Sequence, residues 1–198
     1  MRTLTLVLAA ALSLVTHAAQ AAPFNVYTVN ASDGLNLRAE PSANAEIRYN
    51  FPKGTQVISN GTEKKVGSAT WVQVHFYNFE GWVNKKYLTP TMNLNRLGAT
   101  TSKATERLQC SGTEPFWGFK FNGKTVQGES MKDDTKYRTT VTKRSATRDQ
   151  TTTVVEAGKL AFLIQKTGQC SDGMSDIVYP YAVEVMLPNK TFLSGCCR

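Results

Sequence analysis

Histidine is nearly absent from this chain: there are two, and one of them, His17, falls in an N-terminal segment read below as removable. That scarcity weakens most hydrolase chemistry, which needs a base beside its nucleophile. H-E-x-x-H, G-x-S-x-G and C-x-x-C are all missing. Cysteine is absent from residues 22–109. Long apolar runs are also scarce, since Leu4 to Val15 is the one extended stretch in 198 residues. Twelve residues of helix reach roughly 18 Å, short of a bilayer core of about 30 Å. Acidic residues are the minority, 15 against 23 Lys+Arg, for a formal charge of +8. Hydrophobic content of 41% excludes a disordered or fibrous chain.

The N-terminal run has the form of a secretory signal. Arg2 precedes the apolar stretch, and Ala19-Gln20-Ala21 ends it with small residues at the right spacing. Residues 1–21 are therefore expected to be a signal peptide cleaved near Ala21, giving a periplasmic or secreted product that does not span a membrane. No Cys follows the apolar region, so a lipoprotein signal is not expected. The four cysteines, Cys110, Cys170, Cys196 and Cys197, are even in number and confined to the second half. In an oxidising compartment they read as two disulfides. Cys196 and Cys197 are neighbours, so on a regular strand they face opposite ways and take different partners. Cys110 is expected to pair with one and Cys170 with the other, in either arrangement. A copper-type thiolate site is the alternative weighed against this.

Hydropathy patterning predicts two all-β units. Residues 24–90 are short strands cut by turn signals at Asp33-Gly34, Pro41-Ser42, Pro52-Lys53-Gly54 and Asn60-Gly61. Val72, Val74 and Phe76 alternate on one face, and Lys85 to Leu88 suits a single helical turn. This is the layout of a small barrel. Residues 91–106 are polar and turn-rich and read as a linker. Residues 107–198 resume strand patterning, with a hairpin signal at Asn122-Gly123 and inward rows at Leu160/Phe162/Ile164 and Tyr181/Val183/Val185/Leu187. An antiparallel barrel or sandwich of seven or eight strands is expected.

Leu35-Asn-Leu-Arg-Ala-Glu-Pro-Ser42, Pro52-Lys-Gly-Thr55, Trp71-Val-Gln-Val74, Gly81-Trp-Val83 and Tyr87-Leu88 occur in order. The first unit thereby resembles a bacterial SH3-type (SH3b) domain, departing from the pattern at Ala39-Glu40. The resemblance implies a non-catalytic targeting module for cell-wall peptide or a protein ligand. Its expected ligand-binding residues are Asn36, Arg38, Trp71, Tyr77, Trp82 and Tyr87. The asparagine and arginine would meet a carboxylate; the alternative assigns Trp82 and Tyr87 to the core and pairs Arg38 with a local acid.

The second unit carries Cys110-Ser-Gly-Thr-Glu-Pro-Phe-Trp117, then Cys170 to Asp176, Tyr179-Pro-Tyr181 and Gly195-Cys-Cys-Arg198. It resembles uncharacterised bacterial envelope proteins with C-x3-E-P-F-W, M-S-D-x-x-Y-P-Y and G-C-C motifs, a group that supplies no activity. Glu114, Trp117, Asp172, Ser175, Asp176 and Tyr179 are its candidate residues. Asp172 and Asp176 suit Asx capping of a turn; together with Glu114 and Ser175 they would alternatively form an acid–base or cation site. Pro180 is a candidate cis proline.

His75 reads as a half-exposed strand residue. Lys132, Lys136, Arg138, Lys143, Arg144 and Arg148 form a basic stretch against Asp133 and Asp134, suited to steering toward an anionic envelope polymer. Peptidoglycan or another anionic envelope component is the expected partner, and nucleic acid is not. No cofactor or metal is implied, and the oligomeric state is open. The expected function is an exported, non-catalytic envelope protein; the alternative is a small-ligand-binding protein or hydrolase with its site in the second unit.

Overall fold

The computed structural model describes residues 23–92, 94, 97–99 and 103–198. The expected signal peptide lies outside them. Among the described residues no helix is long and apolar enough to cross a membrane. The chain is all-β.

The first unit contains β1 (Asn25–Val29), β2 (Leu35–Arg38), β3 (Ile47–Phe51), β4 (Gln56–Ser59), β5 (Glu63–Val66), β6 (Ala69–Phe76), β7 (Phe79–Asn84) and β8 (Leu88–Met92). Their order is β3-β2-β7-β6-β4-β1-β8, with β5 on β6. A 3-10 turn at Lys85–Tyr87 is capped by the Asn84 side chain, which accepts from the Lys86 amide at 3.0 Å. The alternating rows of β2, β6 and β7 place Leu35, Leu37, Val72, Val74 and Val83 around Phe51 in a core with almost no exposed surface.

The second unit is an eight-stranded up-and-down barrel, which resolves the barrel-or-sandwich alternative. Its strands are β10 (Gln109–Thr113), β11 (Phe116–Asn122), β12 (Thr125–Ser130), β13 (Thr135–Ala146), β14 (Thr152–Ala157), β15 (Leu160–Cys170), β16 (Tyr179–Met186) and β17 (Phe192–Cys197). Each pairs antiparallel with the next, and β17 returns to β10 to close the ring. Eight strands enclose a narrow interior that side chains can fill. Phe119, Phe121 and Phe162 fill it, with ring centroids 4.9–5.4 Å apart across Phe162.

Both disulfides form, Cys110–Cys197 and Cys170–Cys196. No free cysteine remains for a metal thiolate site. As the strand argument requires, Cys197 points into the barrel core and Cys196 to the opposite face. The G-C-C and E-P-F-W motifs interlock. Trp117 lies across Gly112 and Gly195 so closely that a Cβ on either would sit 2.2 Å and 2.6 Å from the indole ring. Its indole N–H donates to the Ser194 carbonyl at 3.3 Å. The cis peptide bond precedes Pro115, and Pro180 is not cis.

The two units share an apolar seam. Phe24, Val26 and Ile58 pack with Val154, Ala161, Leu163 and Phe192. The segment between the units takes part: Leu94 is buried in that seam and β9 (Gly98–Ala99) pairs with the end of β13. A polar, turn-rich stretch read as a linker is thus anchored by its few apolar residues.

Candidate functional site

Hairpin β6–β7 of the first unit and one face of the barrel enclose a cleft of about 850 Å³. On the first side stand His75, Phe76, Tyr77 and Asn78. Tyr77 and Asn78 form the hairpin tip, because Phe76 pairs with Phe79. Tyr77 adopts φ +52°, rare for a bulky residue. The turn holds its ring in solvent, 64% exposed. Phe79, 39% exposed, stacks on half-buried Tyr49 at 4.6 Å. Tyr49 and Phe76 in turn rest on the core ring of Phe51. The result is an aromatic surface braced from below.

The opposite wall comes from the barrel: the Thr113–Glu114 turn, the Ser171–Gly173 loop, the Cys170–Cys196 bridge, and Glu184 and Ser194 from β16 and β17. The loop is built around Asp172. Its Oδ1 accepts from the Met174 and Ser175 amides at 3.0 Å, and its Oδ2 accepts from the Tyr179 hydroxyl at 2.9 Å. These bonds, led by the Met174 amide and the Tyr179 hydroxyl, hold the carboxyl below the usual carboxylate range, so it stays charged at neutral pH. Thr113 Oγ1 donates to the Asp172 carbonyl at 3.2 Å and ties the loop to the Glu114 turn.

Cysteine pairing and this tie bring Glu114 and Asp172 into one cleft. Asp176 is exposed and outside the cleft, and Ser175 is committed to Asp172 Oδ1 at 3.1 Å. Tyr179 and Trp117 are buried props.

The residues expected on the first unit scatter. Asn36 Oδ1 accepts from Asn50 at 2.8 Å, and Arg38 donates to the Ala45 carbonyl at 2.6 Å, so neither the ligand carboxylate expected for it nor the local acid of the alternative is its partner here. Trp71 is 5% exposed, so its ring does not present a ligand surface. Trp82 is half-buried, and Tyr87 is exposed with the Lys86 ammonium 5.8 Å above its ring. Of this set only Tyr77 reaches the cleft. The basic stretch is partly committed: Lys132 donates to the Phe192 carbonyl, Arg144 to the Gly123 carbonyl, and Lys143 pairs with Glu156.

His75 is 4% exposed, contrary to the half-exposed strand position expected for it, because the barrel covers that face of β6. Its ring stacks on Phe192, and Nε2 lies 2.9 Å from Ser194 Oγ and 3.2 Å from Glu184 Oε2. Ser194 Oγ donates to Glu184 Oε2 at 2.6 Å. This cluster and the Tyr49/Phe79 surface were not anticipated from sequence. The signal for the second was Phe76-Tyr77-Asn78-Phe79, four residues of which three are aromatic around a turn.

The family model described as Bacterial SH3 domain matches residues 33–89. This stretch is a bacterial SH3 domain. The comparisons with curated proteins and with solved structures give no match. The bacterial SH3 domain thus supplies the aromatic hairpin and His75, and the barrel supplies the carboxylates. Bacterial SH3 domains are ligand-binding modules, and this one forms one wall of a cleft whose other wall is the barrel.

Proposed function

We propose that the protein is an exported, non-catalytic envelope-binding protein that attaches to peptidoglycan through the aromatic face of its bacterial SH3 domain. The observation that carries this reading is the exposed pair Tyr77 and Phe79, braced by Tyr49 and Phe76. Aromatic rings held on a rigid sheet lose little conformational entropy on contact, which favours binding. Both disulfides fit the oxidising compartment that export implies. The exposed cations Lys136, Arg138 and Arg148 supply long-range attraction to an anionic wall polymer. The protein is expected to co-sediment with purified peptidoglycan, and Tyr77→Ala/Phe79→Ala to weaken retention by at least about tenfold. Phe79 packs on Tyr49 and Tyr77 against Phe76, so some stability is lost with them, and retention is compared at a temperature where circular dichroism shows the variant folded. No retention of the wild type at low or moderate salt would sink the proposal.

A hydrolase is the second reading, favoured by the 2.9 Å contact of Ser194 with His75. The arrangement argues against it. A base that activates serine through Nε2 is oriented by a carboxylate on Nδ1. Here Glu184 sits on the same nitrogen as Ser194 and accepts the serine hydroxyl's hydrogen bond itself, and among the described residues Nδ1 has no partner. We therefore expect a fluorophosphonate probe to leave Ser194 unmodified. An adduct located on Ser194 by mass spectrometry, absent from Ser194→Ala, would establish the enzyme.

A further inference from the structure

We propose that the cleft between the two domains binds a neutral oligosaccharide, a short run of uncharged pyranose rings held by side-chain amides of both walls and stacked on Tyr77. The inference goes beyond wall attachment through the outer aromatic face and shares only Tyr77 with it.

The amides come from both domains. Gln56 opens β4 and Asn78 lies in the β6–β7 tip, while Gln165 and Gln169 belong to β15 of the barrel. All four line the cleft, and none of their side chains bonds to another described residue. Alternation places the barrel side. Leu163 and Gln165 share the outer face of β15; Leu163 is buried in the seam, and Gln165, one step further along, is half-buried at the cleft. A primary amide offers one acceptor and two donors, and a hydroxyl both gives and takes a hydrogen bond. An unbonded amide therefore matches two neighbouring sugar hydroxyls, or the acetamido group of an N-acetylated sugar.

Tyr77 supplies the flat apolar surface on which the C–H face of a pyranose ring can stack. Its ring is solvent-exposed and lines the same cleft. It meets Phe76 edge-on at 4.7 Å, and the Tyr77 carbonyl lies 3.2 Å from Ser194 Oγ on the barrel. Contact with a ring held in this way costs little conformational entropy. Val26, Ile58 and Leu163 add apolar lining to the cleft.

Charge sets the preference for a neutral sugar. The cleft is lined by no lysine or arginine, and Glu114, Asp172 and Glu184 are in its walls. Carboxylates accept hydrogen bonds from sugar hydroxyls and repel a uronate or a sugar phosphate. An anionic glycan suits the basic outer surface and is disfavoured here. The volume, about 850 Å³, falls within the range of ligand pockets.

The test uses the full mature chain, ¹⁵N-labelled, titrated with tetra-N-acetylchitotetraose and with cellotetraose. Tetragalacturonate and Nα-acetyl-triglycine amide form the comparison arms. A neutral tetrasaccharide should shift the backbone amides of Gln56, Asn78, Gln165 and Gln169 at about millimolar concentration. The tighter of the two identifies the source, an acetamido sugar of the wall type or a plain glucan. Tetragalacturonate should bind at least about tenfold more weakly. Gln56→Ala/Gln165→Ala, one amide from each wall, should weaken neutral-sugar binding by about tenfold, and Asn78→Ala at the exposed tip by about threefold. Affinities are compared at a temperature where circular dichroism shows each variant folded. No shifts with either neutral sugar, or unchanged affinity in both variants, would overturn the site. Equal binding of tetragalacturonate would overturn the preference for a neutral sugar, and tighter binding of the peptide would overturn the sugar assignment. Wall retention is measured separately, so a protein that pellets with peptidoglycan but ignores both neutral sugars refutes only the cleft, and the converse refutes only wall attachment.

Discussion

Replacing Cys110 and Cys197 together by alanine is expected to destabilise the barrel by about 4 kcal/mol. The bridge spans 87 residues, nearly the whole of the second domain. Opening so long a loop returns a large conformational entropy to the unfolded chain. The position matters as much as the length. The β10–β17 ladder that closes the barrel registers two residue pairs, Cys110 with Cys197 and Ser111 with Cys196, flanked by the reciprocal Gln109 and Arg198 backbone bonds. Neighbouring seams are longer, six pairs for β16–β17. Without the bridge the shortest seam must hold the ring closed alone, and two exposed strand edges follow if it opens. Hydrogen exchange read by mass spectrometry should show protection lost first in 109–113 and 192–197 and then across the barrel. The SH3 domain has its own core and no cysteine, so amides in 35–83 should stay protected for longer. Removing Cys170 and Cys196, separated by 26 residues, should cost less, about 3 kcal/mol, and act on the 171–178 loop. A barrel whose urea midpoint is unchanged after loss of the first bridge would show that the ladder alone closes it.

Strand positions were legible because period-two rows dominate this chain. Leu35 to Arg38 is a strand with the bounds its pattern predicts, and Leu160, Phe162 and Ile164 point inward as their alternation requires. The same stretch shows where the pattern carried more than was read from it. Ala161 and Leu163 are also apolar, and they are buried against Phe24, Val26 and Ile58. A continuous apolar run signals a strand covered on both faces, and here the cover is the other domain.

The candidate site was half legible for a related reason. Glu114 and Asp172 lie in short motifs beside cysteines, so the disulfides and the Thr113–Asp172 bond bring them together. His75, Glu184 and Ser194 belong to strands whose periodicity fixes only which face they occupy. Their meeting depends on how two finished domains dock, and no local signal encodes that. Trp71 is a further case. A conspicuous aromatic in a binding module invites a ligand role, but β5 and β7 flank it on both sides and it is buried.

Phe192→Ala is expected to cost about 3–5 kcal/mol and to loosen one domain from the other. The side chain is 2% exposed although it points away from the barrel interior. It stands among Phe24 at 6.4 Å, the stacked His75 ring at 5.0 Å, and Val26, Ile58 and Leu163. Truncation leaves a cavity where three elements of the first unit meet the barrel, and neither unit can collapse into it without moving the other. The loss should therefore appear as broken coupling as well as lower stability. Calorimetry should change from one transition to two. Residual dipolar couplings should show the SH3 domain and the barrel reorienting while each keeps its own internal geometry. His75 would lose its stacking surface, and its bonds with Ser194 and Glu184 would lengthen, opening the floor of the cleft. Phe192→Leu, which keeps most of the buried volume, should retain a single transition. A Phe192→Ala protein that melts in one step within about 1 kcal/mol of the wild type would mean that the seam does not hold the two domains together.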